Sequence, residues 1–221
     1  MPRSAEALWA GTVLWTTARG ARLAGTGLSA PNWSGERLLH RLAVADVGLS
    51  LEAAGHTVLT EREIRTADAV PGRAAELLAD LGVPGIPGGA PRGETSAVTV
   101  GTRALHWPDL IVVREDGLRI AVEVELTPKP KASLGRILRT YVQAPRQVLY
   151  VPTGPVARLL QGKPGPDGRW VDGVAQDVGL LPAGEPAPGA GGPMLVRPFT
   201  ADDPGVARQV ERHPSRHRGP A

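Results

Sequence analysis

Asp109, Glu123 and Glu125 are the residues of this chain best suited to chemistry. All three lie within a run from His106 to Lys129 that is otherwise rich in Val, Ile and Leu. Carboxylates crowded into apolar strands repel one another and lose hydration. A divalent cation relieves both problems, and Mg²⁺ or Mn²⁺ takes hard oxygen ligands from one or two carboxylates plus water. Whether the acids converge depends on a hairpin. Leu110–Val113 and Leu118–Leu126 read as strands joined by Glu115-Asp116-Gly117. A three-residue loop ending in a glycine bulge pairs Arg114 with Leu118 and sets Asp109 opposite Glu123. A two-residue loop around Asp116-Gly117 shifts the register by one and sends the two acids to opposite faces. Alternation along the second strand groups Ala121, Glu123 and Glu125 on one side. The competing reading is an amphipathic edge hairpin with a solvated acidic face.

The elements around this hairpin read as an α/β core. Glu36–Ala54 is the strongest helix, with Leu38, Leu42, Ala45 and Leu49 at helical spacing and Gly55 placed to end it. His40 and Asp46 lie on it six residues apart and so do not share a face. For His40 a partly buried or capping role is favoured over a catalytic one. His56–Ile64 reads as the first core strand, ending in Glu61-Arg62-Glu63. A helix at Arg73–Leu81 precedes a Gly/Pro-rich loop over 82–93. After the hairpin, Pro130–Tyr141 reads as a helix with Leu134, Ile137, Leu138 and Tyr141 on one face. Arg136 and Arg139 lie off that stripe. Gln147–Val151 reads as the last strand and Pro155–Gln161 as a closing helix.

Pro108-Asp109, the hairpin, Glu123-Val124-Glu125 and the nearby Lys129 resemble the core of the PD-(D/E)xK nuclease superfamily. More narrowly, residues from about His40 to Leu160 resemble the replication-relaxation family of actinobacterial plasmids and mobile elements. The residues that carry this include His40–Asp46, Leu49–Gly55, Glu61–Arg65, Trp107–Asp109, Ala121–Lys129 and Tyr150–Pro152. The resemblance covers a little over half the chain, and its combination of pieces is more specific than any one of them. It implies a restriction-endonuclease-like core and a relaxase-like, metal-dependent DNA nickase. Asp109, Glu123 and Glu125 would hold Mg²⁺ or Mn²⁺, and Lys129 would position water or neutralise the transition state. Glu61, Glu63, Asp46 or Glu52 would be the source of a further acid, with His40 accessory. Arg136, Arg139 and Lys131 would meet DNA phosphates. The chain departs from the superfamily at one position: Glu125 stands where the lysine is expected, and Lys129 and Lys131 lie beyond Pro128. The chain has only three lysines among 25 basic residues, and two follow this strand directly. A covalent relaxase mechanism would need Tyr141 or Tyr150, the only tyrosines, and both sit in apolar settings that suit a core.

Composition sets the outer bounds. The 221 residues divide by expectation into an N-terminal extension (1–35) that resembles the last elements of a winged helix, the core (36–161), and a Gly/Pro-rich tail (162–221). Trp170–Val174 and Met194–Val196 are expected to be no more than weak strands in that tail, and its end is basic. The absence of cysteine excludes disulfides and thiol nucleophiles. Net charge is +3, a weak pointer to nucleic acid. No apolar run is long enough for a membrane span, and no secretory signal is evident, so a soluble cytoplasmic protein is expected. Two further classes stay open beside the nuclease: a non-catalytic DNA-binding replication protein with the same core, and a structural α/β domain.

Overall fold

The computed structural model describes residues 17–25, 35–69, 97–100, 104–114, 118–144, 146–184 and 194–197. The expected helix at Arg73–Leu81, the 82–93 loop, the apolar segment Thr12–Trp15, the turn Glu115–Gly117 and the basic C-terminal stretch fall outside them. In chain order the elements are α1 (Ala18–Leu23), α2 (Gly35–Ala53), β1 (Thr57–Thr60), α3 (Glu61–Ala69), β2 (Val98–Val100) and β3 (Ala104–His106). They continue with β4 (Leu110–Val113), β5 (Arg119–Glu125), α4 (Lys131–Gln143), β6 (Gln147–Pro152) and α5 (Gly154–Gln161). Last come β7 (Lys163–Pro164), β8 (Trp170–Val171), α6 (Val174–Asp177) and β9 (Met194–Val196).

Five strands form a mixed sheet in the order β1-β4-β5-β6-β9. The β1/β4 and β4/β5 pairs are antiparallel, whereas β5/β6 and β6/β9 are parallel. The hairpin strands β4 and β5 are therefore interior, and both are buried along almost their whole length. This rules out the edge hairpin with a solvated acidic face. The register pairs Leu110 with Val122 and Val113 with Arg119, and the Arg114 amide donates to the Leu118 carbonyl. Continued by one residue past Leu110, that register sets Asp109 opposite Glu123. The three-residue loop was the right alternative.

Apolar layers cover both sheet faces, as a sheet with parallel interior strands requires. On one face Leu110, Val112, Ile120, Val122, Val124, Leu149 and Val151 meet Ala43, Val47 and Leu51 of α2. On the other, Ile111, Val113, Ala121, Val148 and Tyr150 meet Leu134, Leu138 and Tyr141 of α4, with Val156 and Leu160 of α5 and Val174 of α6. Each Val, Leu or Ile side chain among them contributes roughly 1.5–3 kcal/mol by leaving water. Glu123 and Glu125 share the parity of Ala121, and so belong to the α4 face.

Three expectations need correction. The strand expected over His56–Ile64 stops at Thr60, and α3 begins at Glu61. The cause is a capping box: the Glu63 carboxylate accepts from the Thr60 amide (2.8 Å) and hydroxyl (2.7 Å). The α2 stripe facing the sheet is Ala43, Val47 and Leu51, while Leu49 is 65 % exposed. Gly48 lies over Leu110 on this side, where an added Cβ would make an ordinary contact with the leucine side chain at 3.6 Å. Finally, Gln147–Pro152 is not the last strand. Met194 and Leu195 of β9 are buried beside it, and α6, Leu180 and Leu181 add to the core. Gly162 holds this later segment close: at φ +81° it abuts the Val171 carbonyl, and any Cβ would lie 2.2 Å from that oxygen.

Candidate active site

The expected site residues come from the ends of two strands and the connection that follows them. Asp109 immediately precedes β4, Glu123 and Glu125 close β5, and Lys129 lies in the connection to α4. The C-terminal ends of β5 and β6 are tied together there, since the Thr153 amide donates to the Glu125 carbonyl (3.0 Å) and its hydroxyl to the Leu126 carbonyl (3.0 Å). Ligands commonly bind at the carboxyl ends of parallel strands.

Each carboxylate is held by a basic side chain. Asp109 Oδ1 bonds His40 Nε2 at 3.0 Å, and Oδ2 accepts from the Val124 amide at 2.8 Å. Glu123 Oε1 bonds His106 Nε2 at 2.6 Å and also accepts from the Tyr141 hydroxyl. Glu125 Oε2 pairs with Lys129 Nζ. The glutamates are only 5 % and 8 % exposed, and burying an ionised carboxylate costs several kcal/mol unless it is paired and hydrogen-bonded. These partners supply that compensation.

The charges act on one another as a single group. The hydrogen bond from Asp109 raises the His40 pKa against the lowering effect of burial, with Asp109 and Glu125 adding by charge. Burial lowers His106, but the hydrogen bond and charge of Glu123 outweigh it and leave its pKa raised. Burial raises Glu123 more than His106 and Tyr141 lower it, and the Asp109 charge adds to the rise. Lys129 is lowered by burial but raised on balance by Glu125, Glu123 and Asp109. Tyr141 and Tyr150 are buried and pushed well above the usual phenol range, first by desolvation and then by Glu123. Both are core residues, as their apolar surroundings in the sequence indicated.

The remaining candidates are placed elsewhere or serve the fold. Glu63 is the α3 cap, and Glu61 pairs with Arg65 at 3.0 Å on the same helix, although its amide donates to the Asp109 carbonyl. Asp46 lies six residues, about 240° of helical rotation, beyond His40. Glu52 is exposed near the end of α2, and Lys131, Arg136 and Arg139 are exposed on α4.

His106 is the functional candidate that the sequence reading missed. It comes from the separate β2/β3 ribbon, so no periodicity within the central hairpin points to it. His40 shares the sheet-facing side of α2 with Val47 and Leu51, and its approach to Asp109 was legible only once that side was known. Trp107 fixes the segment between His106 and Asp109. Its Nε1 donates to Asp68 Oδ2 at 2.9 Å, Asp68 also accepts from the Ala97 amide at 3.2 Å, and the Arg65 guanidinium lies 4.7 Å from the Trp107 ring centroid.

Comparison with family models, with curated proteins and with solved structures gives no match.

Proposed function

We propose that this chain is a metal-dependent DNA endonuclease or nickase of relaxase-like type, acting in plasmid or mobile-element replication or transfer. The observation that carries the reading is the pairing register of the central hairpin, which sets Asp109 opposite Glu123 on one sheet face beside Glu125 and Lys129. The lysine displaced from its expected strand position is in contact with Glu125, so its long stem returns the charge to the site.

Mg²⁺ or Mn²⁺ fits this donor set in kind, since all three acids offer hard oxygens. It also fits in number, because such ions take one or two protein carboxylates and keep several waters. Among the described residues no three His, Asp or Glu side chains are arranged to enclose an ion, each acid being turned toward its own basic partner. When bound, the cation would activate water and offset charge on the phosphate. Asp109 and Glu123 would hold it, and Glu125 would serve as a further ligand or as a base. Lys129 would neutralise charge on the phosphate oxygens, and His40 and His106 would orient the two acids. Arg136, Arg139 and Lys131 are available as contacts to the DNA backbone.

Supercoiled plasmid incubated with Mn²⁺ tests the proposal. The expected result is nicking by the wild type and its loss, by two orders of magnitude or more, in Asp109→Ala and Glu123→Ala. Normal cutting by Asp109→Ala would sink the site assignment. A second reading, a DNA-binding replication accessory protein without catalysis, is favoured by the ion pairs that already satisfy each acid. Metal-independent DNA binding without nicking, on origin DNA as well, would select it.

A further inference from the structure

The ribbon of β2 and β3 brings His106 to Glu123, yet a two-stranded ribbon is marginal by itself in water. Its Val98 is buried in the core on the α4 face, whereas Ala104 and Leu105 are exposed. One carboxylate closes both ends of the ribbon. Asp68, in the last turn of α3, accepts from the Ala97 amide at 3.2 Å, just before β2 begins, and from the Trp107 indole at 2.9 Å, just after β3 ends. Both bonds fall on the same oxygen, Oδ2. The register sets Val98 opposite His106, so this clasp lies beside the pair that carries the histidine. Asp109 is held by other contacts, with the Glu61 amide on its carbonyl (3.0 Å) and the Val124 amide on its carboxylate (2.8 Å).

We propose that Asp68 is a positioning residue for His106. It joins the entry and the exit of the ribbon at one point, and so sets the 2.6 Å bond of His106 to Glu123 without governing the pair of His40 and Asp109. Helix α3 is a firm base for this, because Ile64 and Ala67 on either side of Arg65 and next to Asp68 are buried. Arg65 lies over the Trp107 ring at 4.7 Å, so the indole cannot turn away from Asp68 without also losing that contact. The consequence for chemistry rests on the reading of Glu123 as a metal ligand. An acid whose hydrogen-bonding partner is misplaced is no longer aimed at the ion, and such outer contacts are commonly worth roughly 10–100-fold in affinity or activity.

Proton NMR of the histidine ring N–H groups, at low temperature and about pH 6, where imidazoles are largely protonated, reads the clasp without any activity. His40→Gln and His106→Gln assign the two hydrogen-bonded signals. Asp68→Ala should abolish the His106 signal and keep that of His40. Asp68→Asn still offers an oxygen to both donors and should keep both signals. Trp107→Phe retains a ring under Arg65 but lacks the N–H, and should weaken the His106 signal selectively even if Asp68→Ala does not fold. Retention of the full His106 signal in the folded variants overturns the proposal, as does its absence from the wild type. Loss of both histidine signals together would mark a general loosening and equally overturn it, as would loss of the His106 signal in Asp68→Asn. Where the wild type nicks DNA with Mn²⁺, Asp68→Ala should nick about tenfold or more slowly at unchanged DNA affinity. A wild type that does not nick sinks the nuclease reading alone and leaves the NMR test of Asp68 standing.

Discussion

Asp109 and Glu123 carry the chemical argument, and each is coupled to a histidine that changes charge near neutral pH. The pKa values of His40 and His106 are raised above 6.5 in the folded protein. A raised histidine contributes stability that is fully present below its unfolded pKa and is lost as pH rises through the folded one. Glu123 is also raised, from 4.5, so its contribution has the same sign: present at low pH and declining as it ionises. The three effects do not cancel. Thermal midpoints should therefore decline as pH rises above about 6.5, and His106→Gln should flatten that decline while lowering the midpoint at pH 6. A midpoint that instead climbs across this window in the wild type would mean the histidines do not hold the acids as ion pairs. The acids and their strand alternation were legible in the sequence. Their basic partners were not, because His40 and His106 reach them across 69 and 17 residues, through elements whose mutual packing no local pattern encodes.

At the level of elements, the two hairpin strands and α4 were readable from their patterns, although the hairpin register had two solutions until the pairing of Leu110 with Val122 decided it. Val/Ile strands around a glycine turn fix strand type, and Leu134, Leu138 and Tyr141 define a single apolar side of α4. Helix α2 offered two stripes of equal spacing, and the larger side chains lay on the wrong one. Packing against the sheet chose Ala43, Val47 and Leu51, a choice that the pattern within the helix alone does not make. The β1 boundary failed differently. Thr60-Glu61-Arg62-Glu63 carries a capping-box signature, which competes with the reading of its acids as a strand end and source of a third ligand. The contacts separate the two roles. Glu63→Ala should cost about 1 kcal/mol in urea unfolding by loss of the cap, whereas Glu63→Gln, which can still cap, should cost only a few tenths. Neither should alter the metal-dependent nicking of wild-type protein, if that activity is present. Loss of nicking in Glu63→Gln with stability intact would return Glu63 to the list of acids.

For the molecule as a whole, the decisive feature is where the sheet ends. Met194–Val196 reads in the sequence only as a weak strand of the Gly/Pro-rich tail, because so short a segment does not announce its place in the sheet by periodicity. It nevertheless pairs in parallel with Val148–Tyr150 and buries Met194 and Leu195 at 1 % and 3 % exposure. Those two side chains alone contribute about 3–6 kcal/mol, a large share of the 5–15 kcal/mol typical of a domain. Without β9, the apolar β6 would become an open parallel edge, a template for pairing with other chains. A chain ended after Gly184 should therefore unfold at a markedly lower urea concentration and elute partly as aggregate, while one ended after Arg197 should match the full-length protein. Equal stability of the two shortened chains would show that β9 adds nothing to the sheet and that the body closes with α5 and α6. A loss confined to the shorter chain would fix β9 as the element that protects β6, the strand beside the one that bears Glu123 and Glu125.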